Sequence, residues 1–122
     1  MPSVALLGSG LLGEAIGRRL LAQGVELKVW NRTPERCQTL IADGAQAVPD
    51  LSSRAEGCST VITVLRDGPV TQAVVRELGD LRGGRLMPMG TMGITEIRSL
   101  AEQVQHRNGH CLEAPVLGSK PQ

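Results

Sequence analysis

The chain has 122 residues, 41% of them apolar, with one Trp, no Phe, no Tyr and a formal net charge of +1. That length predicts one domain with a core of Val, Leu, Ile, Ala and Met. Charges of both signs spread along the sequence argue against the basic stripe of a nucleic-acid binder, so no nucleic-acid partner is expected.

The opening MPSVALLGSGLLG lacks the basic and long apolar regions of a signal peptide, and no run reaches membrane-spanning length. Cys37, Cys58 and Cys111 form no C-x-x-C pair and are odd in number, which fits a reducing cytoplasm better than a disulfide framework. A soluble, cytoplasmic protein without membrane contact is expected.

In chain order, residues 3–7 read as a short strand ending in a glycine-rich turn. Leu12, Ile16 and Leu20 then recur at helical spacing as far as Gly24. Residues 25–30, VELKVW, alternate as a second strand. A helix restarts at TPER with Thr33 as N-cap and Pro34 at its first position; Cys37, Leu40 and Ile41 are expected to face inward, and Gly44 ends it.

Residues 45–48 are an edge-strand candidate, and Asp50 is positioned to cap a brief helix, LSSRAE. STVITVL, 59–65, is the β-branched run of a strand buried on both faces. After RDGP a helix should carry Val70, Ala73, Val74 and Leu78 on one face, and residues 84–89 read as a weaker strand interrupted by Pro88. The last helix aligns Ile97, Leu100, Ala101 and Val104, stops at Asn108 and Gly109, and leads into HCLEA as a final strand. Strands alternating with helices predict a Rossmann-type α/β fold, a doubly wound parallel sheet in three layers.

Gly8-Ser9-Gly10-Leu11-Leu12-Gly13 is a G-x-G-x-x-G motif between a predicted strand and a predicted helix. The chemistry needs a tight turn at Gly8, close approach of backbone to a pyrophosphate at Gly10, and close helix-to-strand packing at Gly13. Free N–H groups and the helix dipole then favour the anion. With 15 glycines in the chain such a spacing arises easily by chance; the second strand ending about twenty residues on gives the motif its weight.

An acid after that strand would bond the adenosine ribose 2′-hydroxyl and repel a phosphate. Asn31, Arg32 and Thr33 stand there instead, and the Arg32 guanidinium is a planar fork suited to a phosphate dianion. Such a charge-assisted contact contributes about 1.5 to 3 kcal/mol, a selectivity of about ten- to hundredfold. NADP(H) is therefore favoured over NAD(H). The plainer alternative is that Thr33 only caps a helix and Arg32 is solvated.

Three patterns, GSGLLG at 8–13, NRT at 31–33 and EAPVLGS at 113–119 after GTMGITE, together resemble the β-hydroxyacid dehydrogenase (3-hydroxyisobutyrate dehydrogenase-like) family. Within it the chain is most similar to glyoxylate and succinic semialdehyde reductases, whose substrate motif is similar to E-A-P-V-S-G-S. The resemblance implies an N-terminal NADP-binding domain followed by a helical domain. It also implies hydride transfer to a small aldehyde acid or 2-oxo acid.

Carried over by position, Gly8, Ser9, Gly10, Leu11, Leu12 and Gly13 hold the pyrophosphate turn and Asn31, Arg32 and Thr33 the 2′-phosphate. Leu65 and Arg66 meet the middle of the cofactor, and Thr91 the nicotinamide edge and substrate. Val116, Leu117, Gly118 and Ser119 would cradle the carboxylate of a small carboxylic-acid substrate.

The chain departs from this pattern twice. Leu117 stands where the family commonly has a serine, which leaves backbone N–H groups near Gly118 and Ser119 as donors. The family's catalytic lysine belongs to a G-x-x-x-K-x-x-N segment beyond the substrate motif, expected past residue 122, so no catalytic residue is assigned here. Lys28 lies within strand two, and Lys120 is near the terminus. A positioned acid is worth roughly 10²- to 10⁴-fold in rate, so these residues read as the cofactor half of an enzyme, binding NADP(H) without full activity.

His106 and His110 lack metal-ligand spacing and no metal is assigned. The cysteines have no adjacent base to activate them, and Glu113 is a strand-end acid that could orient substrate. The competing readings are a stand-alone nucleotide-binding module without chemistry and the cofactor domain of an imine reductase. Apolar surface left at the end of such a half-enzyme also predicts self-association into a homodimer or aggregate.

Overall fold

The computed structural model describes residues 3–8, 10–48, 50, 51, 58–65, 68–89 and 93–112. Within them the strands Ser3–Leu7 (β1), Glu26–Trp30 (β2), Gln46–Ala47 (β3), Thr60–Val64 (β4), Arg85–Met89 (β5) and His110–Cys111 (β6) form one sheet. The order is β3-β2-β1-β4-β5-β6, with every pairing parallel. Chain order reverses between β1 and β4, which opens a crevice at the carboxyl ends of those strands.

The helices are Leu11–Ala22 (α1), Gln38–Ala42 (α2), Gly68–Arg76 (α3) and Ile94–His106 (α4). Strand alternation sends successive side chains to opposite faces. Val4, Leu6, Leu27, Val29 and Ile62 join Leu40 of α2, with Ile16 and Leu20 of α1 packed against them. Ala5, Leu7, Val61 and Leu86 join Val74 and Val75 of α3 and Leu100 and Val104 of α4. Two aliphatic cores on either side of one sheet give the three layers expected.

Several local expectations change. The segment after Thr33 begins as a 3-10 turn, Pro34–Cys37, and only then becomes α2. Cys37 and Leu40 are buried as predicted, but Ile41 is 40% exposed, because the tighter first turn rotates the short helix. Leu12 is likewise exposed, since the first turn of α1 overhangs the strand end. On α3 the buried face is Thr71, Val74 and Val75, with Val70 and Ala73 half-buried at its margin, and Leu78 is buried just past the helix end. The final strand is His110–Cys111, and Leu112 lies just outside it; the brief helix expected after Asp50 falls largely outside the described residues, as do Glu113 and the rest of EAPVLGS.

Pro88 sits inside β5, opposite Thr63 of β4, without breaking the sheet. Arg85 donates its N–H to Ser59 on the β4 side, whereas the Leu86 carbonyl accepts from Leu112 on the β6 side. Alternation therefore turns the Pro88 nitrogen toward the β6 side, and its missing donor costs the β4 ladder nothing.

Candidate functional site

The turn after β1 is built around Gly8. Its φ is +103°, and a Cβ there would run into the Val64 carbonyl oxygen. Its N–H donates to the Trp30 carbonyl at 2.7 Å, tying the turn to the end of β2. Gly13 packs against it: a Cβ on Gly13 would stand 2.6 Å from the Gly8 oxygen. Gly10 is different, because a Cβ there meets nothing within 4 Å and its φ of −67° suits any residue. Glycine at position 10 leaves backbone open to the crevice.

Gly10 is the N-cap of α1, and the first intrahelical bond runs from Glu14 N–H to the Gly10 carbonyl at 2.8 Å. The N–H groups of Leu11, Leu12 and Gly13 thus have no partner within the helix, and the positive end of a twelve-residue helix points at the crevice. Gly10, Leu11 and Leu12 form one wall of a cleft of ≈ 480 Å³, a size typical of ligand clefts, roughly 300 to 1,000 Å³.

The facing wall is the loop after β2. Asn31, Arg32, Thr33 and Arg36 line the cleft, and none of the described residues that line it is acidic. The Asn31 amide donates to the Thr33 carbonyl at 3.0 Å, and that same oxygen accepts the Arg36 N–H at 3.0 Å. The two bonds hold the loop in the shape that presents its cations. Thr33 holds the N-cap position with Pro34 opening the turn, as expected, but its side chain makes no capping bond, and Thr33 lines the cleft.

Val64 and Leu65 at the end of β4, with Val70 and Val74 of α3 and Trp30, make the cleft's apolar side. Of the predicted cofactor residues, Gly10, Leu11, Leu12, Asn31, Arg32, Thr33 and Leu65 line this one cleft, while Gly8 and Gly13 shape the turn behind it. Ser9, Arg66, Thr91, Val116, Leu117, Gly118 and Ser119 lie outside the described residues.

Residues 3–122 match the model of the NAD binding domain of 6-phosphogluconate dehydrogenase. The chain belongs to that family. Its members similar to this chain include glyoxylate/succinic semialdehyde reductase 1 of Arabidopsis thaliana, 30% identical over 122 residues, covering 96% of this chain and 42% of the relative. The uncharacterized oxidoreductase YfjR of Bacillus subtilis is 34% identical over 120 residues, covering 94% and 42%. Among solved structures, an imine reductase from Pseudomonas sp. superposes with a TM-score of 0.87 at 30% identity, covering 92% of this chain and 40% of that one. This NAD-binding domain therefore spans well under half the length of these oxidoreductase relatives.

The motif-based reading of the NAD-binding domain missed Arg36, Trp30, Val70 and Val74 as cleft residues. Arg36 had a signal: in a 3-10 turn, residues three apart eclipse, so Arg36 falls on the side of Thr33. Val70 and Val74 are one helical turn apart and read only as core. Lys28 stands in mid-sheet, paired in register with Ala5 and Gln46, away from the cleft, and no helix among the described residues is long and apolar enough to cross a membrane.

Proposed function

We propose that this chain is the cofactor half of an NADPH-dependent reductase acting on a small aldehyde acid or 2-oxo acid such as glyoxylate or succinic semialdehyde. The observation that carries the cofactor choice is the convergence of Arg32, Thr33 and Arg36 on one cleft, with no acid among the described residues that line it. The free N–H groups of α1 suit the pyrophosphate, and two guanidiniums beside a hydroxyl suit the additional 2′-phosphate. When bound, the reduced nicotinamide supplies the hydride; the residues here bind, orient and neutralise the carrier's phosphates.

The substrate class comes from the Arabidopsis reductase and from EAPVLGS, whose Val116 to Ser119 would receive the carboxylate. The proton donor is expected beyond residue 122, with Lys28 locked in the sheet. On this reading the chain binds NADPH and turns nothing over; measurable glyoxylate or succinic semialdehyde reduction by these 122 residues would overturn it. Self-association of the chain when alone is part of this reading, and light scattering at high concentration tests it.

The deciding experiment is calorimetric titration with NADPH and NADH. NADPH should bind about ten- to hundredfold more tightly, from a charge-assisted contact of about 1.5 to 3 kcal/mol. Arg32→Ala and Arg36→Ala should each lower NADPH affinity and leave NADH unchanged. Equal or tighter binding of NADH would refute the assignment.

A second reading, the cofactor domain of an imine reductase, is favoured by the 0.87 superposition on the Pseudomonas enzyme. Assaying the full reading frame with a cyclic imine against glyoxylate and succinic semialdehyde separates the two. A stand-alone module without chemistry would reduce none of them.

A further inference from the structure

Trp30 is the single Trp of a chain without Tyr or Phe. It closes β2, opposite Leu7 of β1. Its carbonyl accepts the Gly8 N–H at 2.7 Å, the bond that holds the left-handed glycine of the phosphate turn. Its half-buried side chain packs on the core beneath α3 and α4, and its remaining surface lines the cleft with Leu65, Val70 and Val74.

These four side chains form an apolar wall, while Arg32 and Arg36 and the α1 N-terminus supply cations and N–H donors along the other sides. A flat heteroaromatic base on a phosphorylated ribose has the complementary chemistry: its ring prefers apolar or aromatic surface and its phosphates prefer donors. We propose that Trp30 is a positioning residue that walls the slot for the purine base and, through its carbonyl, holds the pyrophosphate turn, so that base and phosphate subsites keep one spacing. This rests on the cofactor reading above.

The test uses 2′,5′-ADP, which carries the base and the distinguishing phosphate but no nicotinamide. All protein emission comes from Trp30, the single Trp in a chain without Tyr or Phe, so binding should shift or quench it saturably, with the Kd found by calorimetry. Trp30→Leu should weaken 2′,5′-ADP about tenfold, the loss expected from about 1.4 kcal/mol of base–aromatic contact. Trp30→Phe should retain affinity within about threefold, since an aromatic face remains. A side chain serving the core alone would lower the melting temperature of both variants and leave ligand-bound emission where it was.

Emission unmoved at saturating 2′,5′-ADP, or a folded Trp30→Leu that binds it like wild type, overturns the role of Trp30 while leaving the cofactor reading intact. Wild-type protein that binds neither 2′,5′-ADP nor NADPH overturns the cofactor reading, and this role with it. If Trp30→Leu does not fold, the wild-type emission decides.

Discussion

Gly10→Ala separates what the fold needs from what the ligand needs. The new Cβ meets nothing within 4 Å, and the backbone at φ −67°, ψ −168° is extended and open to any residue. Losing glycine's freedom in the unfolded chain stabilises by about 0.4 to 1 kcal/mol, whereas alanine is a poorer N-cap by about 0.5 to 1 kcal/mol. The two nearly cancel, and stability should change by less than about 1 kcal/mol.

Binding should respond quite differently. The methyl would occupy the space through which the pyrophosphate approaches the backbone, and losing one charge-assisted hydrogen bond costs about 1.5 to 3 kcal/mol, or about ten- to hundredfold in Kd. Gly13→Ala is the contrast. Its Cβ would lie 2.6 Å from the Gly8 oxygen, and Gly8 cannot retreat because its N–H is held by Trp30, so overpacking should cost about 1 to 3 kcal/mol of stability as well. Thermal melts of the free protein paired with NADPH titrations give both quantities. A Gly10→Ala protein that melts normally and binds NADPH as tightly as wild type would refute the claim that this backbone faces the cofactor.

Three further outcomes concern the amino edge of the sheet and the core. Arg107 donates to the carbonyls of Leu78 at 3.1 Å, Gln103 at 3.2 Å and Arg76 at 2.8 Å, so Arg107→Ala should lose about 1.5 to 3 kcal/mol in urea unfolding and Arg107→Lys should not restore it; a loss below about 0.5 kcal/mol contradicts this clamp. The backbone N–H of Arg82, then the Asn108 amide, hold the Asp80 carboxyl below its ordinary value of 3.8. Its folded value being depressed, its stabilisation is complete above 3.8 and lost as pH falls through the lower folded value. The melting-temperature gap between wild type and Asp80→Asn should accordingly close in strong acid, and a gap that widens there would reverse the sign. The Thr63 hydroxyl, 1% exposed, has no hydrogen-bond partner among the described residues, so Thr63→Val should raise stability by about 1 kcal/mol; a fall in melting temperature would mean that the hydroxyl is satisfied.

The elements visible in the sequence are those whose signals are local. The β-branched run at 60–64, the glycines at 8, 10 and 13, and the absence of an acid after Trp30 all depend on neighbours within a few residues, and the structure keeps each of them. Where local rules failed, a longer-range term won. Pro88 stays in the sheet because strand order turns its nitrogen toward the short β6, and Ile41 emerges because a 3-10 turn precedes its helix.

Composition, periodicity and motif spacing by themselves determined that this is a parallel α/β domain with a G-x-G-x-x-G turn between its first strand and helix, and with Arg32 rather than an acid after its second strand. The tertiary structure alone decided that Arg36, Trp30, Val70 and Val74 share a cleft with that cation. Residues on three different elements meet only through the reversal of strand order between β1 and β4. Periodicity states which face of an element is apolar; only the path of the chain states which faces meet.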